Sequence, residues 1–453
     1  MVVSLLLIGL LYYGHADDAV TSLFGGVPPG GLFTALWAAF FVVAIGYLVV
    51  RRPGVESLTK LCNAFALGLV LLPLGTVAVG LAGDTSPPVP MVEPSAASPG
   101  QGQLTDPDIY YIIFDRYAGE RTLRDVYDYD NRDFLESLRE RQFFVIDRSR
   151  ANYTKTAHSL AATLNLTHLA YLSEQIGPGS GDWKPVYGLM LDSKVMRDVK
   201  ARGYRYLHFG SWWEPTRRNR LADENYFAPR LLPWFTVDFN EFESLLLRQT
   251  LPVRVSLALF GGDSGWRRHQ FKRVGRKLDQ LATLRRRDGP LFVFAHMLIP
   301  HDPFVFHADG RYKSPAEAGA TTRERNYVDQ LIYTNRRIQE LVDQLLAKSP
   351  PPVIIIQADE GPFPQRYHAD EDSFDWSRAS DEEMRKKFGI LNAIYFPDGD
   401  YSALYQGMTP INSFPVVFNK YFGETYAMLP DTSYTFRSHD DLYTFLDITE
   451  TVK

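Results

Sequence analysis

The stretch Pro107-Asp-Ile-Tyr-Tyr-Ile-Ile-Phe-Asp115 contains six consecutive apolar or aromatic residues and ends at a carboxylate. Two other short apolar runs have the same form: residues 291–296 end in a histidine and residues 353–360 end in an Asp-Glu pair. Uninterrupted runs of this kind are typical of strands buried on both faces of a parallel sheet. Because ligands collect beyond the carboxyl ends of such strands, we expect these acidic and histidine side chains to lie close together.

The composition of the 453-residue chain changes sharply along its length. Residues 1–83 are apolar with few charges, and residues 84–105 are rich in Pro, Ser, Gly and Ala, the composition of an extended tether. Residues 106–453 alternate between strand-like and helix-like patterns. They predict one α/β domain in which a mostly parallel sheet is sandwiched between helices. The net charge of −5 includes no domain-wide basic excess, so we expect no nucleic-acid partner.

The N-terminal region predicts two or three transmembrane helices. Residues 31–50 and 61–82 are each apolar enough and long enough to span a bilayer. Residues 2–13 are apolar but short, and a cleavable signal peptide is the competing interpretation. The turn at residues 51–60 carries three basic residues, which indicates its cytoplasmic location. The chain is therefore predicted to be a multi-pass protein of the cell membrane whose domain at residues 106–453 is extracytoplasmic.

Two threonines, Thr154 and Thr156, stand immediately before an Ala- and Leu-rich segment that is predicted to be helical. A hydroxyl at a helix N-terminus is ordinarily a cap. It can also be a nucleophile, because free N–H groups and the helix dipole stabilise negative charge on the hydroxyl and on a phosphoryl group that it receives. The residues alone leave both interpretations open.

Four motifs follow one another between residues 106 and 422. They are Ile-Ile-Phe-Asp115, Tyr-Thr-Lys-Thr156-Ala-His-Ser-Leu, His296-Met-Leu-Ile-Pro-His301-Asp-Pro-Phe and Ile-Ile-Ile-Gln-Ala-Asp359-Glu-Gly-Pro. In this order they resemble the motifs of the sulfatase-like branch of the alkaline phosphatase superfamily. The membrane-anchored phosphoethanolamine transferases and lipoteichoic acid synthases of that branch are similar in layout.

The resemblance implies one divalent metal ion bound by Asp115, Thr156, Asp359 and Glu360, with Thr156 also the nucleophile. Thr156 is preferred to Thr154 because it directly precedes the small, helix-forming residues. Glu360 departs from the pattern, since the family has histidine there. An all-oxygen ligand set suits Mn²⁺, Mg²⁺ or Ca²⁺ better than Zn²⁺. The same departure is also compatible with weak or absent metal binding.

The resemblance also implies substrate-binding roles for His296 and His301. For His301 the alternative is a loop histidine held between Pro300 and Pro303. The segment at residues 169–284, rich in aromatic residues and arginine, predicts either a wall of the substrate site or ordinary packing.

The function implied is that of a membrane-anchored, metal-dependent hydrolase or transferase. It would act on phosphate or sulfate esters of envelope lipids or glycans through a covalent threonine intermediate. Sulfatases of the resembled superfamily carry a Cys/Ser-x-Pro-x-Arg motif at the nucleophile. No such motif surrounds Thr156, which favours phosphate esters over sulfate esters as substrates. The expected partners are the lipid bilayer and an anionic lipid or glycan, and the oligomeric state is left open. The alternative is a catalytically inactive binding or assembly protein of the cell envelope.

Overall fold

The computed structural model describes residues 2–24, 32–51, 59–60, 106–226, 250, 264–286, 289–371 and 373–453. The chain divides into two compact units. One contains the N-terminal helices, and the other contains nearly all of the described residues from 106 onwards.

The first unit contains helices α1 (Val2–Leu11), α2 (Tyr13–Phe24) and α3 (Leu32–Arg51). Among the described residues, Phe33–Val50 is the one helical segment long and apolar enough to cross a membrane, with a mean hydropathy of 2.3. It coincides with the span predicted at residues 31–50. The span predicted at residues 61–82 lies outside the described residues. Residues 2–13 form α1 and the beginning of α2 and are not one continuous helix.

A seven-stranded sheet forms the centre of the second unit. Its strands are β1 (Ile109–Phe114), β2 (Phe144–Val145), β3 (Arg205–Phe209), β4 (Glu224–Asn225), β5 (Leu291–Met297), β6 (Val353–Gln357) and β7 (Asn392–Tyr395). Their order in the sheet is β2-β7-β6-β1-β5-β3-β4. Only β7 pairs antiparallel with its neighbours, so the predicted mostly parallel sheet is confirmed. A separate antiparallel pair is formed by β8 (Tyr434–Thr435) and β9 (Leu446–Asp447).

The register of the three central strands aligns their carboxyl ends. Ile113 of β1 is paired with His296 of β5 on one side and with Gln357 of β6 on the other. Every residue of β1 is buried, as expected for a strand covered on both faces. His296 lies inside β5 and does not follow it, because the strand continues to Met297, whose carbonyl accepts a hydrogen bond from the Asp115 N–H (3.0 Å).

Helices flank the sheet. They are α4 (Glu120–Tyr127), α5 (Arg132–Glu140), α6 (Thr156–Asn165), α7 (Ala170–Ile176), α8 (Lys184–Leu191), α9 (Lys194–Ala201), α10 (Ser264–Thr283), α11 (Pro315–Gly319), α12 (Arg323–Leu346), α13 (Gln365–Ala369), α14 (Asp381–Phe388), α15 (Ser413–Phe422) and α16 (Thr449–Val452). Short 3₁₀ turns occur at Glu214–Thr216, Trp376–Arg378 and Pro410–Asn412. The predicted helix after the two threonines is confirmed as α6. Its small residues Ala157, Ala161 and Ala162 are buried.

Candidate active site

Asp115, His296 and Asp359 meet at the carboxyl edge of the sheet. Each offers one ligand atom, and these atoms all lie within 4.8 Å of one another. The His296 Nε2 is 3.6 Å from the Asp115 Oδ2. The three residues are only 3%, 0% and 2% exposed. The alignment of β1, β5 and β6 therefore brings together side chains that are far apart in the sequence. These three residues are called the reaction cluster below.

The polar atoms of the reaction cluster lack partners. Among the described residues, the Asp115 Oδ1, both Asp359 carboxylate oxygens and the His296 Nε2 have no hydrogen bond. Burial, with the nearby charges of Asp115 and Glu360, raises the pKa of Asp359 well above its usual value. Burial lowers the pKa of His296 to about 4, so its ring is neutral near pH 7. Buried polar atoms without partners are costly. Two carboxylates and a neutral imidazole facing one another fit a divalent metal ion.

The orientation of His296 is set from the other side of its ring. Its Nδ1 lies 2.8 Å from the Thr216 hydroxyl, and the Lys277 Nζ donates to its carbonyl oxygen (2.5 Å). With Nδ1–H donating to Thr216, the Nε2 lone pair faces the carboxylates. The turn that carries Thr216 depends on Gly210, since a Cβ at Gly210 would lie 2.0 Å from the Arg217 carbonyl oxygen.

Thr156 is the first residue of α6, and its hydroxyl faces the reaction cluster. It is one of the groups that lower the pKa of Asp359, although the two side chains form no hydrogen bond of normal geometry. Thr154 is fully buried and donates a hydrogen bond to the Thr435 hydroxyl (2.8 Å). The structure therefore places Thr156 at the cluster and gives Thr154 a separate partner.

Glu360 has partners of its own. Its Oε1 accepts from the Lys387 Nζ (2.9 Å) and from the Arg116 Nε (3.4 Å). Although burial opposes it, the charges of Lys387, Arg116 and Lys155 lower the pKa of Glu360. Burial lowers the pKa of Lys387 to about 7. The Glu360 carboxylate therefore forms ion pairs with Lys387 and Arg116.

The sequence prediction of the ligand set needs correction here. It placed Glu360 among the metal ligands and His296 among the substrate-binding residues, whereas the structure places His296 in the group that can hold an ion and Glu360 on Lys387. The expected preference for Mn²⁺, Mg²⁺ or Ca²⁺ depended on an all-oxygen set. With an imidazole nitrogen among the ligands, Zn²⁺ is no longer disfavoured.

Three cations surround one phenylalanine ring next to the reaction cluster. Arg116, Lys155 and Lys387 lie 4.4, 4.4 and 3.3 Å from the centroid of Phe363. Arg116 has a positive φ of 60°, uncommon for a residue with a side chain. Burial lowers the pKa of Lys155 to about 8. These residues, with Glu360, are called the cation pocket below. Its positive charge lies where an anionic substrate would approach the cluster.

His301 stands at the edge of the reaction cluster. Its Nε2 is 4.0 Å from the Asp115 Oδ2, and its Nδ1 bonds to the carbonyl oxygen of Asp302. Two tryptophans lie beside the histidines, with ring centroids of Trp212 and His301 6.2 Å apart and those of Trp213 and His296 6.1 Å apart. Part of the segment at residues 169–284 therefore lines the site, one of the two alternatives left open by its sequence.

No protein-family model and no curated protein matches the chain. Among solved structures, the chain is similar to the C-terminal periplasmic domain of EcEptC from Escherichia coli (11% identity, 76% of this chain and 92% of that one, TM-score 0.47). It is also similar to the periplasmic domain of the phosphoethanolamine transferase EptC from Campylobacter jejuni (14%, 71% and 91%, 0.42). A third is an alkaline phosphatase superfamily protein from Vibrio parahaemolyticus (10%, 74% and 74%, 0.41).

Of the predicted site residues, Asp115, Thr156, His296, His301 and Asp359 come together. Sequence reasoning missed Thr216, Lys387, Arg116 and Lys155. Arg116 and Lys155 adjoin motif residues, which was a usable signal. Thr216 is 80 residues from His296 and no spacing rule connects them.

Proposed function

We propose that this chain is a membrane-anchored, metal-dependent enzyme that transfers or hydrolyses phosphate esters through Thr156. One observation carries the proposal: three buried groups without partners converge in front of a hydroxyl at a helix N-terminus. A structural role would leave such groups paired, whereas an active site leaves them available.

Asp115, His296 and Asp359 would hold the divalent ion. When bound, such an ion supplies positive charge that favours ionisation of a nearby hydroxyl and polarises a phosphoryl oxygen. Both Zn²⁺ and Mn²⁺ are compatible with these donors. Because burial raises the pKa of Asp359, a cation competes with a proton for this carboxylate.

In the first step the Thr156 oxygen attacks phosphorus. A Thr156 Oγ–P bond forms, the P–O bond to the first alcohol breaks, and that alcohol leaves with the proton that the Thr156 hydroxyl gives up. The N–H groups at the start of α6 stabilise the charge on the phosphoryl oxygens, because the first N–H groups of a helix have no partner within it. Arg116 and Lys155 attract the anionic ester towards the cluster.

In the second step an acceptor hydroxyl attacks phospho-Thr156. The His301 Nδ1–H donates to the Asp302 carbonyl, which leaves the Nε2 lone pair directed at the site. His301 is therefore placed to take the proton of the acceptor as its oxygen bonds to phosphorus and Thr156 leaves. Water as acceptor makes the enzyme a hydrolase, and a lipid or glycan hydroxyl makes it a transferase.

The substrate class that we propose is the phosphate esters of envelope lipids or glycans. Helix α3, able to cross a membrane by its length and composition, supports this choice. The basic residues of the turn at 51–60 support an extracytoplasmic location for the domain.

The test uses the full chain in detergent, bis(p-nitrophenyl) phosphate and p-nitrophenyl sulfate, with Mn²⁺ or Zn²⁺ or with a chelator. We expect metal-dependent release from the phosphate ester and a loss of about 10⁴-fold or more in Thr156→Ala. Thr154→Ala is the matched control and should keep its activity if it folds. Mass spectrometry of the quenched reaction should place a phosphoryl group on Thr156. Undiminished turnover by Thr156→Ala would reject the mechanism.

The second candidate function is a binding or assembly protein of the cell envelope without catalysis. The observation that favours it is the ion pair of Glu360 with Lys387, at the position where the resembled family has histidine. Absence of both metal uptake and turnover in the same experiment would support this alternative.

A further inference from the structure

A cavity of about 1050 Å³ lies in the second unit, apart from the reaction cluster. It is lined by residues 117–122, by residues 145–150, and by Arg385 and Lys386 of α14, among others. No residue of the reaction cluster lines it, and neither does Thr156. Its size is that of pockets that hold a ligand as large as a sugar phosphate.

Arg150 has a buried side chain whose donors are mostly unpaired within the protein. Its side chain lines the cavity, and the residue is only 9% exposed. Its Nη2 donates one long hydrogen bond to the Asp431 carbonyl oxygen (3.5 Å), and its Nε has no partner. The Asp431 carboxylate is occupied by the Thr409 N–H (2.8 Å) and the Tyr405 hydroxyl (2.6 Å). Most of the five guanidinium donors of Arg150 are therefore unused.

The position of Arg150 is held by backbone hydrogen bonds on both sides. The Ala151 N–H donates to the Phe388 carbonyl (2.8 Å), and the Ile390 N–H donates to the Ser149 carbonyl (3.2 Å). Burial lowers the pKa of Arg150, against the opposing charges of Asp431 and Glu450. A buried guanidinium with an unpaired Nε is costly, and a bound anion would reduce that cost.

Three neighbouring cations also lack a carboxylate partner. Within the described part of the chain, Arg148, Arg150, Arg385 and Lys386 line the cavity, and no carboxylate lies within 4.0 Å of their charged atoms. Most lining carboxylates, in contrast, are engaged: Glu120 with Arg124, Asp125 with Arg121 and Arg124, and Asp147 with Arg139. Glu382 is exposed. Arg148, Arg150 and Arg385 thus offer the cavity guanidinium donors that no carboxylate occupies.

We propose that this cavity is a second ligand site, which binds a phosphate monoester with its phosphate against Arg148, Arg150 and Arg385. A phosphate offers three oxygens and up to two charges to several guanidinium groups, whereas a carboxylate offers two oxygens and one charge. The rest of the cavity holds the alcohol part of the ester. That alcohol is either a sugar or the glycerol of a lipid headgroup.

The experiment separates this site from the reaction cluster. The Thr156→Ala chain in detergent, with chelator present to keep the cluster free of metal, is titrated by calorimetry with inorganic pyrophosphate, glucose 6-phosphate and dihexanoyl phosphatidic acid. We expect binding that Arg150→Gln weakens at least about tenfold, since charge-assisted hydrogen bonds are lost. Arg385→Gln, at a partly exposed residue, should weaken it in the same direction without a risk to folding.

Arg141→Gln is the matched control, because Arg141 lies outside the cavity and pairs with Asp343. Its affinity should equal that of the parent chain. Binding of glucose 6-phosphate identifies a soluble ester as ligand, and binding of the lipid alone identifies a headgroup. No binding by any probe, or equal binding by the parent, Arg150→Gln and Arg385→Gln, overturns the proposal. Because Thr156 and the metal are absent from this test, its result is independent of the proposed enzymatic function.

Discussion

Asp359 and Glu360 are neighbours in the chain, and their carboxylates have opposite environments. Asp359 belongs to the reaction cluster, where neither of its oxygens has a hydrogen bond. Glu360 belongs to the cation pocket, where Lys387 and Arg116 bind its Oε1. The pKa of Asp359 is accordingly raised, by burial first, whereas the charge of Lys387 lowers that of Glu360 against the effect of burial.

The difference separates two uses of buried charge. In the cation pocket the Glu360 carboxylate is paired through its Oε1 with Lys387 and Arg116, and the pocket keeps an excess of positive charge. The reaction cluster is left without compensation, which lowers the stability of the metal-free protein and raises its affinity for a cation. Buried groups that a fold leaves unsatisfied are therefore the better indicators of a functional site than buried groups that it pairs.

Asp359→Asn should have the largest effect, because it removes a carboxylate of the reaction cluster. Loss of this carboxylate should abolish metal binding and reduce metal-dependent turnover by about 10³-fold or more. In chelator, removal of an unpaired acidic group should leave the melting temperature unchanged or raise it. Calorimetric metal titration and thermal melts measure the two effects. Asp343→Asn, on the exposed pair with Arg141, is the control. Full metal affinity in Asp359→Asn would contradict the assignment.

Lys387→Met tests the cation pocket, because it removes the cation that pairs with Glu360. It leaves the buried Glu360 with the more distant Arg116 and the charge of Lys155. Removing one partner of a buried pair costs about 3–5 kcal/mol of unfolding free energy. The double variant Glu360→Gln/Lys387→Met should recover much of this loss. Lys420→Met is the matched control, because Lys420 binds exposed carboxylates and should cost less than about 1 kcal/mol. Denaturant unfolding measures all three, and equal stabilities for the two lysine variants would refute the contrast.

Thr216→Val tests whether the Thr216 hydroxyl orients the ring of His296. It removes the hydroxyl that orients the ring through Nδ1, and loss of such an outer partner lowers metal affinity by about 10–100-fold. Stability in chelator should change much less than in Lys387→Met. Thr216→Ser keeps a hydroxyl and should restore most of the affinity. If the valine variant binds metal as tightly as the parent chain, Thr216 does not position His296.

His158→Phe has the smallest expected effect and concerns a buried group outside both clusters. Burial lowers the pKa of His158 from 6.5 to about 3, within contact of Trp183 and Phe436. The unfolded chain therefore takes up a proton first as the pH falls, and stability present above pH 6.5 is lost below it. His158 should contribute about 1 kcal/mol of the loss between about pH 6.5 and 5.5. Denaturant unfolding at the two pH values should show a smaller loss in the variant, and an identical loss would exclude this role.

Much of the fold could be predicted from local patterns. The three apolar runs became adjacent central strands, and the Ala- and Leu-rich segment became α6. These succeed because strand burial and helix formation depend on residues close in the chain. The ends of elements were less certain: His296 lies within β5, since pairing with β1 extends the strand by one residue beyond it.

The partners of the site residues could not be predicted in the same way. Glu360 was assigned to the metal because the resembled family has a metal-binding histidine at that position, but Lys387 reaches it from α14. Thr216 reaches His296 from a turn that only Gly210 permits. Arg150 has no signal in the sequence, because a missing carboxylate is a property of the surrounding fold.

The sequence by itself determined that Asp115, His296 and Asp359 meet, because the carboxyl ends of adjacent parallel strands lie at one edge of a sheet. The tertiary structure alone decided that the Glu360 carboxylate is paired within the protein and that the reaction cluster is left for a ligand. That choice depends on cations brought in from distant elements, and the electrostatic energy of a buried charge is set by its few nearest neighbours.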